Sequence, residues 1–276
     1  MRVGVSLPVR ELRDDLEAIR DFAQAAEELG FTHLRVPDQV IRAKGGHLHE
    51  PLMLLSYVAA ITKKIELVPS VIILPLRQTV LLAKQTAELD LLSSGRLRLG
   101  IGVGTDSLEY DRLGKDFANR GRRCDEQIDL LRALWTQPKI NFDGKWEKVI
   151  DAGIDPLPKQ RPIPLWIGAK AQPVESVLHR IATKADGLFV LCSPEEFPEL
   201  WNSLETISKD NGAKKFKLET ETGVAVVGPR EHEWRERVAG WKALGISHLC
   251  IRTLGGKLET TQHVSKLREV SNDLEL

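Results

Sequence analysis

From Leu97 to Gly104 the chain reads LRLGIGVG. Side chains alternate across a strand, so Leu97, Leu99, Ile101 and Val103 fall on one face, and Arg98, Gly100, Gly102 and Gly104 on the other. A glycine inside a strand costs roughly 0.5 to 1 kcal/mol in backbone entropy and offers nothing to pack. Glycines repeated at a spacing of two therefore call for something to fill the face they leave bare. Neighbouring side chains of a tightly packed barrel are one such filling. The sharper expectation is a planar ring or a phosphate brought close to the backbone at the strand's carboxyl end.

Outward from this strand the chain alternates strand-like and helix-like stretches. Val3 to Leu7 reads as a strand. Leu12 to Leu29 places apolar residues at helical spacing and stops at Gly30. His33 to Val36 precedes a helix over Pro51 to Thr62, and Glu66 to Leu74 precedes one over Val80 to Leu92. Leu97 to Val103 pairs with Arg120 to Trp135, Ile163 to Gly168 with Pro173 to Ala185, and Leu188 to Leu191 with Pro194 to Asn211. Glu219 to Val227 with Glu231 to Leu244, and Ser247 to Arg252 with Leu258 to Asp273, complete eight units. Such alternation implies parallel strands joined by right-handed crossovers. No Gly-x-Gly-x-x-Gly follows the first strand, so a closed (β/α)8 TIM barrel is expected rather than an open dinucleotide-binding sheet. The 276 residues form one domain in this reading, with an excursion at about 141–160.

The chain carries 39 basic and 39 acidic residues, so no net field draws it to nucleic acid or to an acidic membrane. The basic cluster Arg120, Arg122 and Arg123 is diluted by Asp125 and Glu126 and reads as ion-paired or solvated. Cys124, Cys192 and Cys250 are far apart and odd in number, which fits buried thiols in a reducing compartment. Met1 leads directly into a strand, and no apolar run is long enough to span a bilayer, so a cytoplasmic location is expected.

Chemistry in a barrel of this kind sits at the carboxyl ends of its strands. Pro69 lies inside the third strand, where it has no N–H for the ladder, so either a bulge with irregular backbone at Ser70 and Val71 is expected or a single ladder bond replaced by water. Asp38 ends the second strand and either meets a ligand donor or caps the next turn. His47 and His49 invite a metal reading, but the remaining histidines fall on helices or inside a strand, and no metal site is expected. Gly168, Ala169 and Lys170, ahead of a helix opened by Pro173, form either a phosphate seat or an ordinary turn.

Several runs together resemble one family. They include Glu50-Pro51, Leu74-Pro75-Leu76-Arg77, Leu82-Ala83-Lys84, Leu89 to Arg96 (LDLLSSGR), Leu99 to Gly104, Glu109, Leu113-Gly114, Arg120, Asp125-Glu126, Leu134-Trp135 and Pro162 to Gly168 (PIPLWIG). In order and spacing they are similar to luciferase-like monooxygenases, and within them to the branch that uses the deazaflavin F420. The likeness runs from Val3 to about Val190.

That resemblance implies a luciferase-like barrel binding F420, or alternatively FMN, at its carboxyl end, with hydride passing between the ring and a small-molecule substrate. It implies a non-proline cis peptide at Ser70–Val71, with Ser70, Val71 and Ile72 behind the ring and Asp38 hydrogen-bonded to it. It places Gly104 and Thr105 at the cofactor's edge and Gly168, Ala169 and Lys170 at its phosphate, while the bare strand face adds Gly102 as a cofactor-binding candidate. A homodimer is also implied. Where alcohol-oxidising members carry Asp-His, this chain has Asp38-Gln39, and glutamine takes up no proton at neutral pH. An F420-dependent reductase is therefore expected, with His47 as a substitute base if its loop folds over the ring. An FMN-dependent monooxygenase and a non-catalytic flavin-binding protein are the alternatives.

Overall fold

A computed structural model of the chain describes residues 1–41, 48–170, 172–212 and 216–276. Its strands are β1 (Arg2–Ser6), β2 (His33–Val36), β3 (Glu66–Pro69), β4 (Ile72–Ile73), β5 (Leu99–Gly102), β6 (Ile140–Asp143), β7 (Lys148–Ala152), β8 (Leu165–Lys170), β9 (Gly187–Leu191), β10 (Glu219–Ala225) and β11 (His248–Arg252). All except β6 and β7 join one parallel sheet in the order β3-β2-β1-β11-β10-β9-β8-β5-β4. The two ends of that order, β3 and β4, are halves of one strand interrupted at Ser70–Val71. Leu67 bridges Leu97 in parallel and completes the circle. Eight staves thus close into the expected (β/α)8 barrel.

The interruption lies where Pro69 was expected to force it, and the Ser70–Val71 peptide bond is cis. The helices keep the anticipated order with ends shifted by a few residues. The first stretch divides into Val9–Leu12 and Leu16–Glu28, the latter capped by Asp15, whose carboxylate accepts from the Ala18 N–H. The helix anticipated from Pro173 starts later, at Glu175. A short helix, Ser107–Arg112, was not anticipated. Asp106 caps it, accepting from the Leu108 N–H.

The excursion is the antiparallel hairpin β6–β7. Glu126, on the helix Arg120–Thr136, accepts the N–H groups of Lys145, Trp146 and Glu147, each at 2.8 Å, and pins the hairpin's turn to the barrel. One hydrophobic cluster runs from Val3 to Val270, with Trp135 and Trp234 fully buried in it.

At the amino ends of the strands the barrel interior is filled by charge. Glu221 of β10 is fully buried, and its two oxygens accept from Arg35 (2.9 Å) and Arg98 (2.7 Å). Arg98 also donates to Glu66 (2.9 Å) and lies over the Trp166 ring at 4.1 Å. His33 faces Glu221 at 3.3 Å, and His248 packs edge-on against both His33 and Trp166. Burial alone would raise the Glu221 pKa, but the Arg35 and Arg98 guanidiniums hold it well below the usual carboxylate range. Burial drives both histidines the other way, His33 downward and His248 to about 3, with Arg98 and His33 adding to the His248 shift.

Both imidazoles are therefore neutral in the folded chain and take up protons on unfolding once the pH falls below their ordinary value. The unfolded state then binds more protons, so stability is complete above that value and declines as the pH drops through the depressed ones. Measured by denaturant unfolding, His248→Gln is expected to flatten the slope of stability against pH, between about pH 6 and pH 4, by about 1.4 kcal/mol per pH unit. A slope equal to that of the native sequence contradicts the assignment.

Candidate functional site

Above the charged layer, at the carboxyl ends of the strands, lies a cavity of about 770 Å³. Its lining includes Arg35, Ser70, Val71 and Phe189 from the barrel interior. Ile73, Gly102, Val103 and Gly104 line it from the third and fourth staves, and Ile167, Gly168, Ala169 and Lys170 from the fifth. Val174, Val177 and Leu191 add aliphatic surface, while Asp38, Gln39 and Thr105 reach it from loops.

The glycine face of β5 is not bare. A Cβ at Gly100 would lie 2.4 Å from the Pro69 carbonyl oxygen and 2.7 Å from the Phe189 ring. One at Gly102 would lie 2.8 Å from Val71 Cγ2, and one at Gly104, where φ is +66°, 2.9 Å from Ile73 Cγ2. The expectation of a flat ligand directly against these glycines is thus corrected. The interrupted third strand and Phe189 fill that face, and the glycines exist to admit them. Space remains instead at Gly168, where a Cβ would make only ordinary contacts, 3.7 Å to Leu191 and 4.0 Å to Val71.

Asp38 lines the cavity, yet its carboxylate is also committed to the chain. Oδ1 accepts from Arg77 (2.7 Å) and Oδ2 from the Ile73 N–H (3.1 Å). Arg77 donates further to Glu50 (3.1 Å), the cap of the helix Pro51–Ile61. Asp38 is therefore a brace between the second stave, the second half of the third, and that helix, rather than a cap of its own turn. Ile72 departs from expectation: it is fully buried in the core and its neighbour Ile73 faces the cavity, as strand alternation requires. His47 lies outside the described residues. His49 turns to the Arg13 carbonyl, to which Nε2 donates at 2.6 Å. Among the described residues no three His, Cys, Asp or Glu side chains converge as a metal ion would need.

The rim holds groups that sequence reasoning missed. Arg120 lines the cavity, stacks over the Phe117 ring at 3.7 Å and donates to the Phe117 carbonyl, while its buried Nε has no partner. Arg123 pairs with Glu147 at 3.4 Å and Arg122 is exposed, so the ion-paired or solvated reading holds for those two only. Helical spacing back from Leu131, Ile128 and Cys124 to Arg120 was the signal that would have separated it. Arg180 also lines the cavity, held by Asp125 at 2.6 Å. Glu109 is buried and accepts the N–H groups of Val40 (2.8 Å) and Ile41 (3.3 Å), fixing the loop after β2. Burial raises the Cys124 thiol to about 12 and the Tyr110 phenol above its usual range, so both stay protonated at neutral pH.

A sequence profile of the luciferase-like monooxygenase family matches residues 1–268, and the chain belongs to that family. It is 30% identical over 195 residues to an uncharacterised protein of Mycobacterium tuberculosis, a match covering 62% of this chain and 66% of that one. The chain thus spans just under two thirds of the length of that relative. It is also 30% identical over 239 residues to the F420-dependent glucose-6-phosphate dehydrogenase of Amycolatopsis mediterranei, covering 82% and 70% of the two chains. Among solved structures it shares its fold with the monooxygenase RslO1 of Streptomyces bottropensis (TM-score 0.83, 17% identity, 100% and 99% covered). It shares it equally with an F420-dependent secondary alcohol dehydrogenase in complex with an F420-acetone adduct (TM-score 0.82, 16% identity, 98% and 97% covered).

Two glycines at this site should behave oppositely. Gly100→Ala is expected to destabilise the chain by about 1 to 3 kcal/mol in denaturant unfolding, because its Cβ meets backbone. Gly168→Ala is expected to stay within about 0.5 kcal/mol, because its Cβ would make only ordinary contacts. Equal losses at the two positions contradict the described packing.

Proposed function

We propose that the chain is an F420-dependent oxidoreductase, a single barrel domain that passes hydride between the deazaflavin and a small organic substrate, with substrate reduction as its direction. The observation that carries this reading is the cavity at the carboxyl end of the barrel, bounded by Ser70 and Val71 and walled by aliphatic side chains. Its volume suits a tricyclic ring with its side chain. Its rim carries Lys170, which forms no ion pair among the described residues, and Arg120 with its unpartnered Nε. Such a donor set suits a phosphodiester and an acidic tail. F420-dependent relatives support the same reading.

Bound F420 supplies the hydride carrier. The chain's own groups would hold and orient it: Val71 and Gly168 bound the cavity, Gly102, Gly104 and Thr105 line it, and Gly168, Ala169 and Lys170 would receive the phosphate. Asp38 keeps the Ile73 segment in place. Gln39 faces the same space as a hydrogen-bonding group that takes up no proton at neutral pH. Cys124 and Tyr110, both held protonated, do not replace it as bases. The aliphatic walls favour a small apolar or conjugated substrate and exclude bulk water from it. Among the described residues no helix is long and apolar enough to cross a membrane. A soluble homodimer in the cytoplasm completes the proposal.

FMN with a reduced-flavin monooxygenase reaction is the second reading, favoured by the shared fold with RslO1. The exposed Lys170 beyond the ring's space favours the longer, more anionic cofactor. Equilibrium titration by fluorescence decides between them. F420 is expected to bind at least about tenfold more tightly than FMN, and the reverse order moves the chain to the monooxygenases. Asp38→Ala is expected to weaken F420 binding by about 1 to 3 kcal/mol, since it frees both Arg77 and the Ile73 N–H. Unchanged affinity shows that the Asp38 brace does not shape the cofactor's space.

A further inference from the structure

The charged layer and the cavity meet at one residue. Arg35 of β2 directs one guanidinium nitrogen to Glu221 Oε1 at 2.9 Å and the other to the Ser70 hydroxyl, while its plane rests over the Phe189 ring at 4.7 Å. Arg35, Ser70 and Phe189 all line the cavity, whereas Glu221 lies wholly beneath it. Ser70 is the residue at which the third strand leaves its regular path, and its N–H donates to the Val36 carbonyl at 2.7 Å. The hydroxyl and the backbone N–H of Ser70 are thus both held from β2.

We propose that Glu221 and Arg35 are positioning residues for the cofactor, acting through Ser70 to fix the Ser70–Val71 segment that floors the cavity. The physical basis is the fork of the guanidinium. Two donors in fixed geometry span a buried carboxylate on one side and a hydroxyl on the other, a planar arrangement that a lysine's freely rotating ammonium does not impose. Glu221 anchors that fork, and Arg98, on its other oxygen, anchors Glu221. Stacking on Phe189, the ring that also fills the space beside Gly100, supports the guanidinium plane from one side. A rigid supporting shell of this kind holds a binding surface in register. Lost support therefore shows first as lost cofactor affinity.

This inference rests on the proposed binding of F420, and its test keeps the two apart. Dissociation constants for F420 are measured by fluorescence on the full chain and on Ser70→Ala, Ser70→Thr, Glu221→Gln and the Ser70→Ala/Glu221→Gln double variant, with thermal midpoints alongside. Ser70→Ala is expected to weaken binding about tenfold while its midpoint stays within about 2 °C of the native chain's. Ser70→Thr, which keeps the acceptor, is expected to stay within about threefold of the native affinity. The double variant is expected to bind no more weakly than the weaker single one, because the two act along one path. Native affinity in Ser70→Ala, or a double variant that loses the product of the two single losses, overturns the inference. Should Glu221→Gln fail to fold, the two Ser70 variants decide: equal binding by them overturns it. A native chain that binds neither F420 nor FMN overturns the functional reading, and this one with it.

Discussion

An ionised carboxylate with no access to water must be matched by cations held in place, and the interior of this barrel is arranged around that requirement at Glu221. Arg98 answers it from the amino side and Arg35 from the cavity side. Each of those cations then has further obligations, Arg98 to Glu66 and to the Trp166 face, Arg35 to Ser70 and to Phe189. The barrel is consequently filled in its lower half by a charged, aromatic-capped layer, and the third strand breaks where that layer ends. The cavity begins at the same level.

A second set of charges frames the mouth. Asp38, Arg77 and Glu50 link a loop, the Ile73 segment and a helix start, and Glu109 holds the backbone at Val40 and Ile41. These contacts draw the loops after the second, third and fourth staves together around the cavity. The arrangement leaves a cavity with aliphatic walls, a protonated Cys124, and cations at its outer edge.

Much of this was legible in the residues. Alternating periodicities and eight units led to the barrel, and Pro69 marked the break in the third strand, because both follow from local rules of pleat and hydrogen bonding. The run from Leu89 to Arg96 was recognisable by family likeness, and its role proves architectural. Asp90 accepts from the Gln160 N–H (2.9 Å) and its side chain (2.7 Å), while Arg96 binds the carbonyls of Ala59, Thr62 and Ile65. What sequence reasoning misjudged was which object fills the glycine face, since Phe189 lies far along the chain and nothing local points to it. The same holds for Glu221, whose partners Arg35 and Arg98 belong to other strands, and for Ile72, where a shift of one residue moved the side chain from cavity to core. Long-range pairing carries no local pattern, so the fold was easier to read than the site.

The central claim is that the space over Ser70 and Val71 receives the ring of F420. A crystal structure of the chain soaked or co-crystallised with F420 tests it most directly. The account predicts density for the tricyclic ring against the Ser70–Val71 segment, with the phosphate toward Lys170. Density for the cofactor elsewhere, with that space still filled by solvent, would contradict it.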